Sequence, residues 1–196
     1  MASTLFLIRH GETEWSITGR HTGWTDLPLT ANGERVAARL RPALGQVGFS
    51  RVFVSPLQRA RRTAELAGCL TGASIDQDLH EWDYGDYEGK TSAEIRAQHP
   101  GWNVFQFGAP GGESLAQVSA RADRVLARLE PIDGTIALFA HGQFLRALAM
   151  RWIGRDVSDA LHFAFDAARV SVLGFEHASD RIPGILLWNA DLSAPL

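Results

Sequence analysis

The sequence predicts an α/β fold, a three-layer α/β/α sandwich around a mostly parallel sheet. Three observations carry this. Short apolar runs at Leu5–Ile8, Val52–Val54 and Thr135–Ala140 have the character of strands buried on both faces. Each run ends abruptly in polar residues, and an amphipathic helical pattern follows. The overall order, β-α-β-α, an irregular stretch, then α-β-α-β-β, is that of helices covering both faces of one sheet.

The elements justify themselves in turn. After the first strand, Thr30 reads as a helix N-cap, and Val36, Ala37, Leu40 and Leu44 recur at helical spacing. After the second, Ser55 is suited to cap a helix with Pro56 in its first turn, running to about Leu70. Residues 72–112 are irregular and rich in Gly, Asp and Trp, with one helix expected at Ser92–Gln98. Ser114 opens a helix with Leu115, Val118, Ala122, Val125, Leu126 and Leu129 on one stripe and Pro131 beyond its end. The third strand leads through His141-Gly142 into a helix to about Ile153, and Val170–Phe175 and Ile185–Trp188 close the chain as strands. No repeat or linker interrupts residues 1–196, so a single domain is expected, with a cap-like insertion at about 82–112. Within it, residues 91–112, with Trp102, Phe105 and Phe107, are expected to cover the pocket.

Composition narrows the class. The chain has 196 residues, 45% of them hydrophobic and 21% charged, enough for a substantial core. Nineteen Lys and Arg stand against twenty-two Asp and Glu, for a net charge of −3, so a basic nucleic-acid footprint is absent. Cys69 is the sole cysteine, which excludes an internal disulfide framework and a thiolate metal site. No apolar stretch reaches membrane-span length, and a cytoplasmic protein without membrane contact is expected.

In parallel α/β sheets, ligands bind outside the carboxyl ends of the strands. Here those ends carry Arg9-His10, Ser55-Pro56 just before Arg59, and His141-Gly142. Imidazole is a nitrogen nucleophile near neutral pH, and guanidinium matches phosphate oxygens with a planar fork of donors. Glycine after each histidine lets backbone approach an anion closely.

The segment LFLIRHGETEW resembles the signature of the histidine phosphatase superfamily, which includes cofactor-dependent phosphoglycerate mutases and many small-molecule phosphatases. The likeness continues, in the family's order, through TGWTDLPLTANGE, SPLQRARRTAEL, HEWDYGDYEGK, PGGESLAQVSARADRVL and FAHGQFLRAL. Within the superfamily, RHGETEWSITGRHTGWTDLPLT and HEWDYGDYEG are most similar to the fungal sedoheptulose-bisphosphatase-like branch.

The resemblance implies the phosphoglycerate mutase-like fold and a set of roles. His10 would attack phosphorus and form a phosphohistidine, with its other ring nitrogen donating to a backbone carbonyl. Arg9, Arg59 and a cationic His141 would surround the transferring oxygens. Glu81 would protonate the leaving alkoxide and then activate water, with Asp83 as the competing carboxylate. Thr22, Gly23, Tyr84 and Gly142 occupy substrate-contact positions, and Ser16 and Gln143 stand where mutases carry asparagine. His21 would line the pocket mouth. Arg62 either extends the basic pocket or pairs with Glu65, and Glu113 is a candidate partner for the following helix dipole.

The implied reaction is hydrolysis of a small phosphate ester, a sugar phosphate or bisphosphate, without cofactor or metal. The alternative is a phosphoglycerate mutase. Against it stand Ser16, Gln143, the missing carboxylate-binding arginine after Glu81, and the repulsion Asp83 would exert on a phosphoglycerate. The C-terminal strands read as core, with a homodimer edge as the other possibility.

Overall fold

The computed structural model describes residues 4–176 and 181–192; His177 lies outside them. Six strands form one sheet: β1 (Thr4–Arg9), β2 (Phe49–Val54), β3 (Ser74–Ile75), β4 (Thr135–Ala140), β5 (Val170–Phe175) and β6 (Pro183–Ala190). Their order is β3-β2-β4-β1-β5-β6. The first four in that order pair in parallel, and β5 joins antiparallel to both β1 and β6.

Alternation along the two central strands divides the core into two layers. Leu5, Leu7, Ile136, Leu138 and Ala140 point to one face, where α7 (Leu115–Leu129) and α8 (Gly142–Trp152) pack with Val118, Ala122, Phe144 and Leu148. Phe6, Ile8, Ala137 and Phe139 point to the other, against Ala60 and Ala64 of α4 (Gln58–Leu66) and Ala37 is buried nearby in α2 (Ala31–Ala38). Both faces of the strands are thereby dry, which is why these runs are continuously apolar.

Local signals set most helix starts. Thr30 caps α2 by accepting from the Gly33 amide, and Ser114 and Gln117 form a capping box at α7. A second such box, Thr91 with Glu94, opens α5 (Ser92–Gln98). The expected helix through Leu44 is broken: α2 ends at Ala38, and a short α3 (Arg41–Leu44) follows with Pro42 in its first turn.

Two further expectations are corrected. Ser55 does not cap α4, whose N-cap is Leu57 without a side-chain bond; the Ser55 hydroxyl is used across the chain instead. That helix also stops at Leu66, before the left-handed turn at Gly68, where φ is 77°. No helix among the described residues is long and apolar enough to cross a membrane.

Candidate active site

Sheet register assembles the site. Arg9 pairs with Ala140 and Val54 with Phe139, so the residues just beyond three adjacent strands stand in a row: Ser55, His141, His10. The rings of His10 and His141 are 5.1 Å apart between centroids. Nδ1 of His10 lies 2.7 Å from the Gly11 carbonyl oxygen, which can only accept, so Nδ1 carries the proton and Nε2 holds a free lone pair. Burial, then the charges of Arg59 and Arg9, holds the His10 imidazole well below its ordinary pKa of 6.5.

The loop after His10 is locked by close backbone packing. A Cβ at Gly11 would lie 2.8 Å from the Gly33 carbonyl oxygen, so no larger residue fits. The Gly11 amide donates to Thr63 Oγ at 2.9 Å, and that hydroxyl donates to the Arg59 carbonyl at 2.7 Å.

Arg59 is fully buried, and four of its five N–H groups donate to protein acceptors. Nη1 donates to Thr25 O and Nη2 to Gly23 O, both at 2.8 Å, while Nε donates to His141 Nδ1 at 3.2 Å. Burial pushes the Arg59 guanidinium down to about 10, against the opposing pull of Glu81. Because Arg59 can only donate, His141 Nδ1 must accept; its Nε2 then carries the proton and donates to Ser55 Oγ at 2.7 Å. Burial and the neighbouring Arg59 and His10 hold His141 well below 6.5, so the protein's own charges keep this ring neutral. The cationic form expected from the sequence therefore requires an anion beside it.

Glu81 faces His10 across the cavity, 5% exposed. Its carboxylate occupies the N-terminus of α8, accepting from the Gln143 amide at 3.0 Å and the Phe144 amide at 2.8 Å, and also from Trp82 N at 2.8 Å. Gly142 sits at the same helix start, where a Cβ would come within 3.0 Å of Arg9 Nε. Arg9 donates to the Phe165 carbonyl and is likewise pushed down by burial.

The cavity has a volume of about 60 Å³ and is lined by Arg9, His10, Thr13, Ser16, Arg20, His21, Thr22, Glu81, Tyr84 and Gln143. At roughly 10–15 Å³ per water-sized sphere this is room for a phosphoryl group and little more. Of the residues expected from sequence, Arg9, His10, Glu81, Ser16, Thr22, Tyr84, Gln143 and His21 line it. His141 lies beside His10 and is buried, as is Arg59. Gly23 and Gly142 do not line the cavity, and Gly23 donates its amide to Glu88 and accepts from Arg59 at its carbonyl. Tyr84 is 2% exposed, its phenol held well above the usual value by burial and by Glu81. His21 stacks 4.6 Å from Tyr84 and is pushed down to about 4 by burial and then by Arg96.

Several expectations fail here. Of the two readings left open for Arg62, the pairing with Glu65 is what the structure shows, at 2.9 Å and joined by Glu34 at 2.7 Å; it does not line the cavity. Asp83 turns onto the Gly85 amide at 2.9 Å and lies outside the cavity. It does not share the cavity with Glu81. None of Trp102, Phe105 and Phe107 lines the cavity: the first two are drawn into the core against Tyr87 and Trp82, and Phe107 is exposed elsewhere on the surface. Glu113 pairs with Arg121 rather than serving a helix dipole.

Sequence reasoning gave Ser55 only a capping role and passed over Thr63, Arg121 and Arg146. Arg146 donates to Gln143 Oε1 at 2.6 Å, which leaves the Gln143 amide group as a donor toward the cavity. The HGQFLR block did contain that residue, but nothing local says what it holds.

The family model of the histidine phosphatase superfamily (branch 1) matches residues 5–190. The chain is 44% identical over 177 residues to an acid phosphatase of Mycobacterium tuberculosis, covering 88% of this chain and 87% of that protein. It is 34% identical over 184 residues to sedoheptulose 1,7-bisphosphatase of Saccharomyces cerevisiae, covering 77% and 68% respectively. The solved structure of an open reading frame product from Mycobacterium tuberculosis superposes with a TM-score of 0.90 at 37% identity, covering 97% of this chain and 98% of that one. Together with a histidine poised at a phosphate-sized cavity, these matches make the chain a member of branch 1 of the histidine phosphatase superfamily, and a phosphatase.

Proposed function

We propose that the protein hydrolyses small phosphomonoesters, sugar phosphates or bisphosphates, through a phosphohistidine on His10. The observation that carries this is the tautomer: the Gly11 carbonyl accepts the hydrogen bond of His10 Nδ1–H, leaving Nε2 unprotonated in a cavity shared with Arg9 and Glu81. In the first step the Nε2 lone pair attacks phosphorus and the ester P–O bond breaks. Protonated Glu81 gives its proton to the departing alkoxide, releasing an alcohol. In the second step Glu81 takes a proton from water, the water oxygen attacks phosphorus, and the N–P bond breaks to release inorganic phosphate. Arg9, with Arg59 and His141 close behind, offsets charge on the transferring group.

The narrow cavity with a polar rim of Arg20, His21 and Thr22 supports a small ester whose polar remainder lies outside. The likeness to a sedoheptulose 1,7-bisphosphatase supports the sugar class. Ser16 and Gln143, at positions where mutases carry asparagine, favour water over a second substrate as phosphoryl acceptor.

A phosphate-release screen over sugar phosphates, bisphosphates, phosphoglycerates and nucleotides tests this reading, with His10→Ala as control. His10→Ala is expected to lower kcat/KM by at least about 10⁴-fold. It should also abolish an alkali-stable phosphoryl adduct on the intact protein. Rapid isomerisation of 3-phosphoglycerate with little free phosphate would overturn the hydrolytic reading.

A further inference from the structure

We infer that Arg121 is the positioning residue for Glu81, a buried clamp that fixes the carboxylate without touching substrate; this rests on the reading of Glu81 as proton donor. Glu81 is carried by a segment with no strand partner. Between Asp76 and Glu88 only two 3₁₀ turns occur, Gln77–Leu79 and Gly85–Tyr87. No strand ladder holds the backbone at 80–83, and its one main-chain bond to a distant segment is Glu113 N–H to Asp83 O at 3.0 Å.

Arg121, on α7 and 7% exposed, adds a further hold. Nη1 donates to Asp78 O at 2.8 Å and His80 O at 2.7 Å, and Nη2 donates to Glu81 O at 3.3 Å. Nε and Nη2 donate to the two Glu113 carboxylate oxygens at 2.8 and 2.6 Å. Those five bonds equal the five N–H groups of a guanidinium, so no donor is left over. Glu113 extends the grip, its Oε2 accepting from the Asp83 amide at 3.0 Å and its carbonyl from Trp82 Nε1 at 2.9 Å.

The same guanidinium lies 4.2 Å from the Phe144 ring centroid. Phe144 is the residue whose amide bonds Glu81 Oε1. The edge of Arg121 thus holds the backbone that carries Glu81, while its face packs on the helix turn that receives the carboxylate. Lysine, a point charge with three donors, cannot span both. Arg121 is not among the cavity-lining residues, so it acts only through Glu81. A displacement of about 1 Å at a reacting group can cost on the order of a hundredfold in rate.

The test uses leaving groups. An aryl ester such as p-nitrophenyl phosphate departs with little help from an acid, whereas an alkyl phosphate needs protonation. The readout is the ratio of kcat/KM for the best alkyl substrate to that for the aryl ester. Arg121→Met is expected to lower this ratio at least about tenfold, and the milder Glu113→Gln to lower it in the same direction by less. A purely structural role reduces both esters in parallel and leaves the ratio unchanged, which would overturn the inference. Should Arg121→Met fail to fold, Glu113→Gln decides alone. Glu81→Gln is the control: a ratio that collapses there but not in the clamp variants sinks the clamp alone. A ratio untouched in Glu81→Gln sinks the proton-donor reading, and the clamp with it.

Discussion

His10 and Glu81 face each other across one cavity, yet they are held by different means. His10 follows a central strand, and its position relative to His141 and Ser55 is set by the β1–β4 and β4–β2 register. Glu81 lies on an irregular segment, and side chains hold it: Arg121 and Glu113 at its backbone, with Arg124 and Arg128 on Asp78 and Arg128 on Asp76 further along. His10 is fixed by main-chain ladders that almost any apolar sequence can form. The backbone that carries Glu81 is fixed by a few specific guanidinium contacts, and its carboxylate by the amides of Trp82, Gln143 and Phe144. Single substitutions should therefore displace the second far more readily than the first.

After His10 itself, the largest expected effect comes from removing Arg59, which ties the strand-end half to the loop at residues 22–25. Arg59→Met strips donors from Gly23 O, Thr25 O and His141 Nδ1. Turnover should fall on the order of 10²–10³-fold. Each buried acceptor left unpaired should cost about 1–3 kcal/mol, read by urea denaturation. Near-normal activity would mean that strand register alone suffices, and would break the contrast at its stronger side.

A second effect, in stability, follows from the buried imidazoles. His10 and His141 are held well below 6.5 in the folded protein and His21 at about 4. Below pH 6.5 the unfolded chain binds protons that the folded chain refuses, so stability is lost as pH falls from 6.5 toward 4. Each imidazole contributes up to about 1.4 kcal/mol per pH unit in that window. Denaturation midpoints that stay level between pH 7 and 5 would contradict it. The acid limb of kcat/KM should likewise lie below pH 6.5.

The smallest effect is expected at Arg62, which belongs to neither half. Arg62→Ala removes only exposed pairs with Glu34 and Glu65, so kcat/KM should stay within about twofold of the wild type. A selective loss on doubly phosphorylated substrates would return Arg62 to the site.

How much of this could be read in the sequence follows the same division. The strand ends bearing His10 and His141 were plain, because apolar runs stopping at Arg-His and His-Gly reflect a local rule. Thr30 and Ser114 were plain as caps for the same reason. Ser55 was misread, since its hydroxyl serves His141, 86 positions away, and no local pattern encodes that bond. Arg62 stayed open between two readings, because helical spacing from Arg59 does not fix the direction of a long side chain; Glu65 and Glu34 hold it. Arg121 stayed hidden inside an amphipathic helix, where an arginine on the apolar side has no sequence mark of its partners. Trp102 and Phe105 looked like cover for a pocket but are buried in the core.

One feature of the sheet bears on how the protein is made. The strand preceding His10 is central, with Thr4 to Arg9 paired to Thr135 to Ala140 on one side and Leu5 to Ile8 to residues 170–173 on the other. Synthesis from the amino end therefore exposes this apolar strand early and gives it neither neighbour until most of the chain has emerged. Such distant pairing slows folding, because loop closure is paid before contacts reward it. The cavity is completed late, and a ribosome-bound fragment ending before β4 would carry His10 with neither His141 nor Gln143 beside it.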